Sequence, residues 1–167
     1  GFPMAVAFCH YMGWNGLNED EKKAFDKFVK IEKDTNGYHW SQYMIGDCYD
    51  VGNGTEKDAT KAVEWYTKSA EKGNSFSMSN LGYCYDLGQG VDQDETKAFE
   101  LYEQSALLGH STAMYNVGVF YEKGVNVMRN LNKAKEWFTK AAAQGGNNAQ
   151  TKLDELNAPP AAESDDE

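Results

Sequence analysis

The sequence repeats itself every 36 residues, and that period limits the folds open to it. Gly46, Gly82 and Gly118 stand 36 apart, as do Tyr49, Tyr85 and Tyr121, and Gly52, Gly88 and Gly124. Lys61-Ala62, Lys97-Ala98 and Lys133-Ala134 keep the same step, with Ala70, Ala106 and Ala142, and Gly73, Gly109 and Gly145. Residues 41–76 match 77–112 at 17 of 36 positions without a gap. A unit this short cannot bury its own apolar face, so copies must stack side by side into a solenoid.

Each unit reads as two helices. The first is predicted over 41–51, 77–87 and 113–123, and the second over 58–72, 94–108 and 130–144. Gly52, Gly88 and Gly124 end the first helix, followed by a second glycine that Asn126 replaces in the third unit; Asn is the next-best residue for a left-handed turn. Asp58, Asp94 and Asn130 are N-caps, since their side-chain oxygen takes an orphan amide hydrogen. Ala62, Val63, Tyr66 and Ala70 fall on one face, repeated by Ala98, Phe99, Tyr102 and Ala106, and then by Ala134, Phe138 and Ala142. Gly46, Gly82 and Gly118 sit inside a helix, where glycine costs about 1 kcal/mol against alanine. A recurring cost implies that another helix crosses there with no room for a Cβ. No strand pattern is present.

The predicted organisation is a divergent repeat over 1–40, repeats over 41–76, 77–112 and 113–148, a capping helix over 149–157 and an acidic tail over 158–167. The divergent unit holds Cys9-His10-Tyr11, Gly13-Trp14-Asn15-Gly16, Lys23-Ala24-Phe25 and Phe28, with Asn18 and Glu21 as a capping box and Thr35-Asn36-Gly37 closing it. The polar helix Asn148 to Asn157 carries Leu153 and Leu156 on one side. The apolar start, Gly1 to Phe8, lacks a basic leader and reads as a first helix rather than a signal peptide. In the tail, Ser164 resembles an acidic-directed kinase site, but the plainer reading is a solubilising tail.

The 167 residues carry a formal charge of -10 and a pI near 4.8. That balance argues against a nucleic-acid partner. No apolar run is long enough to span a bilayer as a helix. His10, His39 and His110 are scattered, and no metal cluster is expected. Cys48 and Cys84 share one repeat position and read as small buried hydrophobes, about 9 Å or more apart and beyond disulfide reach; Cys9 is similar. Trp40, Trp65 and Trp137 read as packing residues and Trp14 as an exposed one. Gly52-Asn53-Gly54 and Gly88-Gln89-Gly90 have no strand before them and are not phosphate loops. Asn53-Gly54-Thr55 is a glycosylation sequon that matters only in the secretory pathway.

The run Ser77-x3-Leu81-Gly82-x2-Tyr85-x2-Gly88-x-Gly90-Val91-x2-Asp94-x2-Lys97-Ala98-x3-Tyr102-x2-Ser105-Ala106-x2-Gly109 closely resembles the Sel-1-like repeat, a relative of the tetratricopeptide repeat. Ala113-x3-Val117-Gly118-x2-Tyr121-x2-Gly124 and Trp137-Phe138-x-Lys140-Ala141-Ala142 match too. The resemblance is strong over residues 38–150 and weak over 3–37. It implies an all-α protein, an α/α solenoid wound as a right-handed superhelix of helical hairpins. It also implies an adaptor in protein complexes, with no catalytic residues and no cofactor. Members occur in the cytosol, the secretory pathway and bacterial envelopes; a cytoplasmic location is the first expectation here and the secretory pathway the alternative.

In such a stack the first helices line a concave groove. The expected lining is Tyr43, Asp47 and Asp50, then Ser79, Tyr83 and Asp86, then Tyr115, Val119 and Glu122, with Asn80 and Asn116 one residue further round. Asp50, Asp86 and Glu122 recur at the 36 step beside tyrosines, which suits an extended basic or amphipathic protein segment; a plainly solvated acid is the alternative. Related domains that clamp acidic tails use Lys and Arg, of which this groove offers Lys123 at most. A regulatory segment of a larger enzyme and a structural subunit docked through its convex face are the other readings.

Overall fold

The computed structural model describes residues 21–158. These form α1 (Glu21–Thr35), α2 (His39–Val51), α3 (Ala59–Ala70), α4 (Ser75–Leu87), α5 (Glu95–Leu107), α6 (Ser111–Lys123), α7 (Leu131–Ala143) and α8 (Asn147–Asn157), with no strand among the described residues. Each helix packs chiefly on its neighbours in sequence, giving antiparallel hairpins stacked in a row. The proposed capping box at Asn18, the readings of Cys9, His10 and Trp14, and the tail with Ser164 lie outside the described residues.

The second helices start where the caps require. The side chains of Asp58, Asp94 and Asn130 accept from the amides of Lys61, Lys97 and Lys133, each at 3.0 Å. The recurring lysine has a second role. Its ammonium lies over the ring of Tyr49, Tyr85 or Tyr121, at 5.3, 4.8 and 5.0 Å from the centroid. The loops close through the carbonyls of these tyrosines, which accept from the amides of Asp58, Asp94 and Asn130.

The first helices begin two residues earlier than predicted, at 39, 75 and 111. Asn74 and His110 supply the caps, accepting from Ser77 N at 2.9 Å and Ala113 N at 3.4 Å. A cap immediately after the glycine that ends the preceding helix leaves almost no connecting loop. The second helices, in turn, stop at 70, 107 and 143, slightly short of prediction.

The glycines inside the first helices are explained by contact. A Cβ on Gly46 would stand 2.7 Å from Tyr66 Cδ1, on Gly82 3.0 Å from Tyr102 Cδ1, and on Gly118 2.6 Å from Phe138 Cε1. The ring of each second helix therefore lies flat against the first helix of its own hairpin. Asn126 adopts φ 53°, as its place in the repeat predicts. The glycines it replaces also meet a close neighbour. A side chain on Gly54 would run into the Glu21 carbonyl, and on Gly90 into that of Ala59, whereas Asn126 reaches Glu95 Oε2 with its amide at 3.4 Å.

Burial follows the repeat with one correction. Ala62, Tyr66, Ala98, Tyr102, Ala134 and Phe138 are sealed, but in the third unit Ala141 is buried and Ala142 only partly so. Ala141 is in register with Ser69 and Ser105, both fully buried. Ser69 Oγ donates to the His39 carbonyl at 2.6 Å and Ser105 Oγ to that of Ser75 at 2.7 Å, pinning the end of each second helix to the start of its partner. In α1, Ala24, Phe25, Phe28 and Ile31 pack against Met44, Ile45 and Cys48 of α2. At the other end Leu153 and Leu156 of α8 rest on the last cluster. No helix of the described residues is long and apolar enough to cross a membrane.

Candidate functional site

The first helices α2, α4 and α6 stand side by side, and ring contacts at their starts record it. Phe76 touches Trp40 and Tyr43 of α2, at 5.3 and 5.8 Å between centroids, and His110 at the start of α6, at 4.6 Å. These contacts place three helix faces on one surface, with α4 in the middle.

On α4 the outward stripe is Phe76, Asn80, Tyr83 and Leu87, spaced at i, i+4, i+7 and i+11 as one helical face requires. Phe76 is 41% exposed, Tyr83 48% and Leu87 51%. Three large apolar or aromatic side chains thus lie in line on the exposed face of α4, where single scattered exposures are the ordinary case. The expected lining included Tyr83 and Asn80 but not Phe76 or Leu87. Their signal was the same helical spacing, taken one residue round.

The remaining expected positions divide. Ser79 is only 4% exposed and offers nothing to a partner. Tyr43 is wedged between Trp40, Phe76 and Tyr66, and burial, then the Asp47 charge, push its hydroxyl up to about 12. Tyr115 leans on Phe138 at 5.5 Å, and Val119 packs against the last core cluster. Asp47, Asp50, Asn80, Asp86, Asn116 and Glu122 are half-buried.

The acidic set lies at the junctions between successive first helices. Asp47 and Asp50 of α2 help to raise the Tyr66 hydroxyl, after burial, and Asp50 also acts on Cys84 of α4. Burial, then Glu95, holds the Asp86 carboxyl above its usual value, and Lys123 of α6 partly offsets them. Glu122 is not free: Lys152 of α8 reaches it at 3.3 Å.

Other candidates are quieter. Cys48 and Cys84 are free and buried, their thiols pushed up by burial to about 12 and about 11. No group of three or more His, Cys, Asp or Glu among the described residues could hold a metal. His39 pairs with Asn74 at 3.1 Å and His110 is a cap. On the opposite side, between α3 and α5, an open cleft of about 400 Å³ runs over Met78, Leu81 and Leu101.

The Sel1 repeat family model matches residues 4–26, 41–74, 75–110 and 111–146. The crystal structure of a protective antigen present in uropathogenic Escherichia coli strains, which displays an SLR fold, is 31% identical at a TM-score of 0.79, over 92% of this chain and 32% of that one. A Sel1 repeat protein from Oxalobacter formigenes is 29% identical at a TM-score of 0.83, over 92% of this chain and 61% of that one. Cysteine-rich protein B of Helicobacter pylori is 25% identical at a TM-score of 0.63, over 80% of this chain and 95% of that one. The chain thus spans about a third of the first of these proteins and three-fifths of the second. No curated protein sequence matches it.

Proposed function

The chain belongs to the Sel1 repeat family, whose members are commonly protein-interaction scaffolds, and from that premise we propose that it is an adaptor holding an extended segment of another protein across α2, α4 and α6. One observation carries the reading: Phe76, Tyr83 and Leu87 stand exposed in line on the middle helix, between the acidic residues of α2 and Asp86. Aromatic and aliphatic side chains supply contact area with little entropy lost, and the carboxylates orient the segment and speed its arrival. The segment is basic or amphipathic, and protein rather than nucleic acid, because the face repels phosphate.

The test is direct. A photo-crosslinking residue at Tyr83 captures the partner, and Asp50→Lys with Asp86→Lys abolishes capture while leaving helicity unchanged. Capture that survives both charge reversals would remove the face from consideration. The cleft between α3 and α5 favours a second reading, in which the chain docks into a larger assembly through its other side; crosslinks from Met78 or Leu101 but not from Tyr83 would select it. We propose a cytoplasmic location, with the secretory pathway as the alternative. A glycan on Asn53 of the protein isolated from its native cell would select the secretory pathway.

A further inference from the structure

The 36-residue step carries a set of polar groups into each junction between successive first helices. Between α2 and α4 these are Asp50, Asn80 and the Tyr66 hydroxyl; between α4 and α6, Asp86, Asn116 and the Tyr102 hydroxyl. In the same register the junction of α6 with α8 holds Glu122, Lys152 and Phe138. There a lysine stands where the others have asparagine, and its ammonium lies 3.3 Å from Glu122 and 3.1 Å from Glu155. The ring below it has no hydroxyl to satisfy.

The first junction lacks what the last one has. The position that Lys123 fills beside Asp86 is occupied on α4 by Leu87, and among the described residues Asp50 makes no ion pair. Tyr66, fully buried, leaves its hydroxyl without a hydrogen-bond partner. Asn80 stands near enough to act on that hydroxyl but outside hydrogen-bonding geometry. Asp47 adds a second negative charge on the same side.

We propose that the junction of α2 and α4, built from Asp50, Asn80 and the Tyr66 hydroxyl, receives a lysine side chain of the bound segment, as the junction of α6 and α8 already holds Lys152. The inference rests on the adaptor reading and assigns the chemistry of one subsite within it. A lysine fits this approach because its four methylenes can lie along Tyr83 and Leu87 while the ammonium reaches the carboxylate. Within the chain itself, both later junctions set a lysine against the equivalent carboxylate, Lys152 against Glu122 and Lys123 near Asp86, whereas neither Asn80 nor Leu87 brings a charge to Asp50.

The probes are two fluorescent peptides of about nine residues, alternating leucine and serine, with either lysine or its uncharged isostere norleucine at the centre. Binding to the full chain is followed by anisotropy, and the site by amide shifts of Asp50, Asn80 and Tyr83. The lysine peptide is expected to bind at least about tenfold tighter at low salt, an advantage that shrinks as salt rises. Asp50→Asn brings it down to the norleucine peptide, while Asp26→Asn, on α1, leaves the preference intact. Equal binding of both peptides at Tyr83 overturns the lysine subsite and leaves the adaptor face standing. Binding of neither peptide to this face overturns both.

Discussion

A single missing methyl group defines the repeat at the residue scale. Gly118→Ala adds a Cβ 2.6 Å from Phe138, and Gly46→Ala one 2.7 Å from Tyr66, where the neighbour is a ring held on all sides. The helix gains about 1 kcal/mol in propensity, but overpacking costs ~1–3 kcal/mol or more, and each variant is expected to be destabilised. Gly82→Ala, at 3.0 Å, should suffer least; urea midpoints across the three give the order. The buried thiols make a second residue-scale prediction. Cys48 and Cys84 keep their protons to about 12 and about 11, while a thiol in the unfolded chain ionises near 9.0. The unfolded state then binds fewer protons than the native one, so stability falls as pH rises above about 9. A thiol reagent at about pH 8 should label neither cysteine until denaturant is added.

Helix caps decide the behaviour of the elements. Asn74 and His110 occupy the same place in successive repeats, yet only the histidine can lose its function by titration. Its Nδ1 accepts from Ala113 N, and burial lowers its pKa. The unfolded histidine takes up a proton at higher pH than the folded one, so the contribution is present above about 6.5 and is lost as pH falls through the folded value. His110→Asn forfeits the ring contact with Phe76 but keeps the cap at every pH. Between about pH 7 and pH 5 the variant should gain on the parent by the worth of one N-cap, ~1 kcal/mol, measured by urea unfolding at both pH values. A variant with unchanged pH dependence would show that the cap carries no weight.

For the whole molecule, stacking makes stability a matter of neighbours. Cutting the chain after Gly146 removes α8 with Leu153, Leu156 and the Lys152–Glu122 pair. The apolar loss is worth roughly 3 kcal/mol, which for a domain of this size lowers Tm by roughly 5–10 °C. Hydrogen exchange should quicken in α6 and α7 and hardly change in α2 and α3. Uniform quickening would mean that the stack unfolds as one block.

The 36-residue period, the caps at Asp58, Asp94 and Asn130, the turn at Asn126 and the crowding at Gly46 were all legible in the sequence, because each depends on contacts within one unit or between units of fixed spacing. The sequence therefore determined that the chain is all-α, built of hairpins, and where most of its core lies. The tertiary structure alone decided which side chains face out. A turn of about 100° per residue separates an exposed Phe76 or Leu87 from a buried Ser79, and only the neighbouring helix shows which lies where. It also decided that Glu122 is already matched by Lys152 while Asp50 is not, since α8 carries too little of the repeat to announce its register, and a charge pair across two helices depends on how they stack rather than on their spacing in the chain.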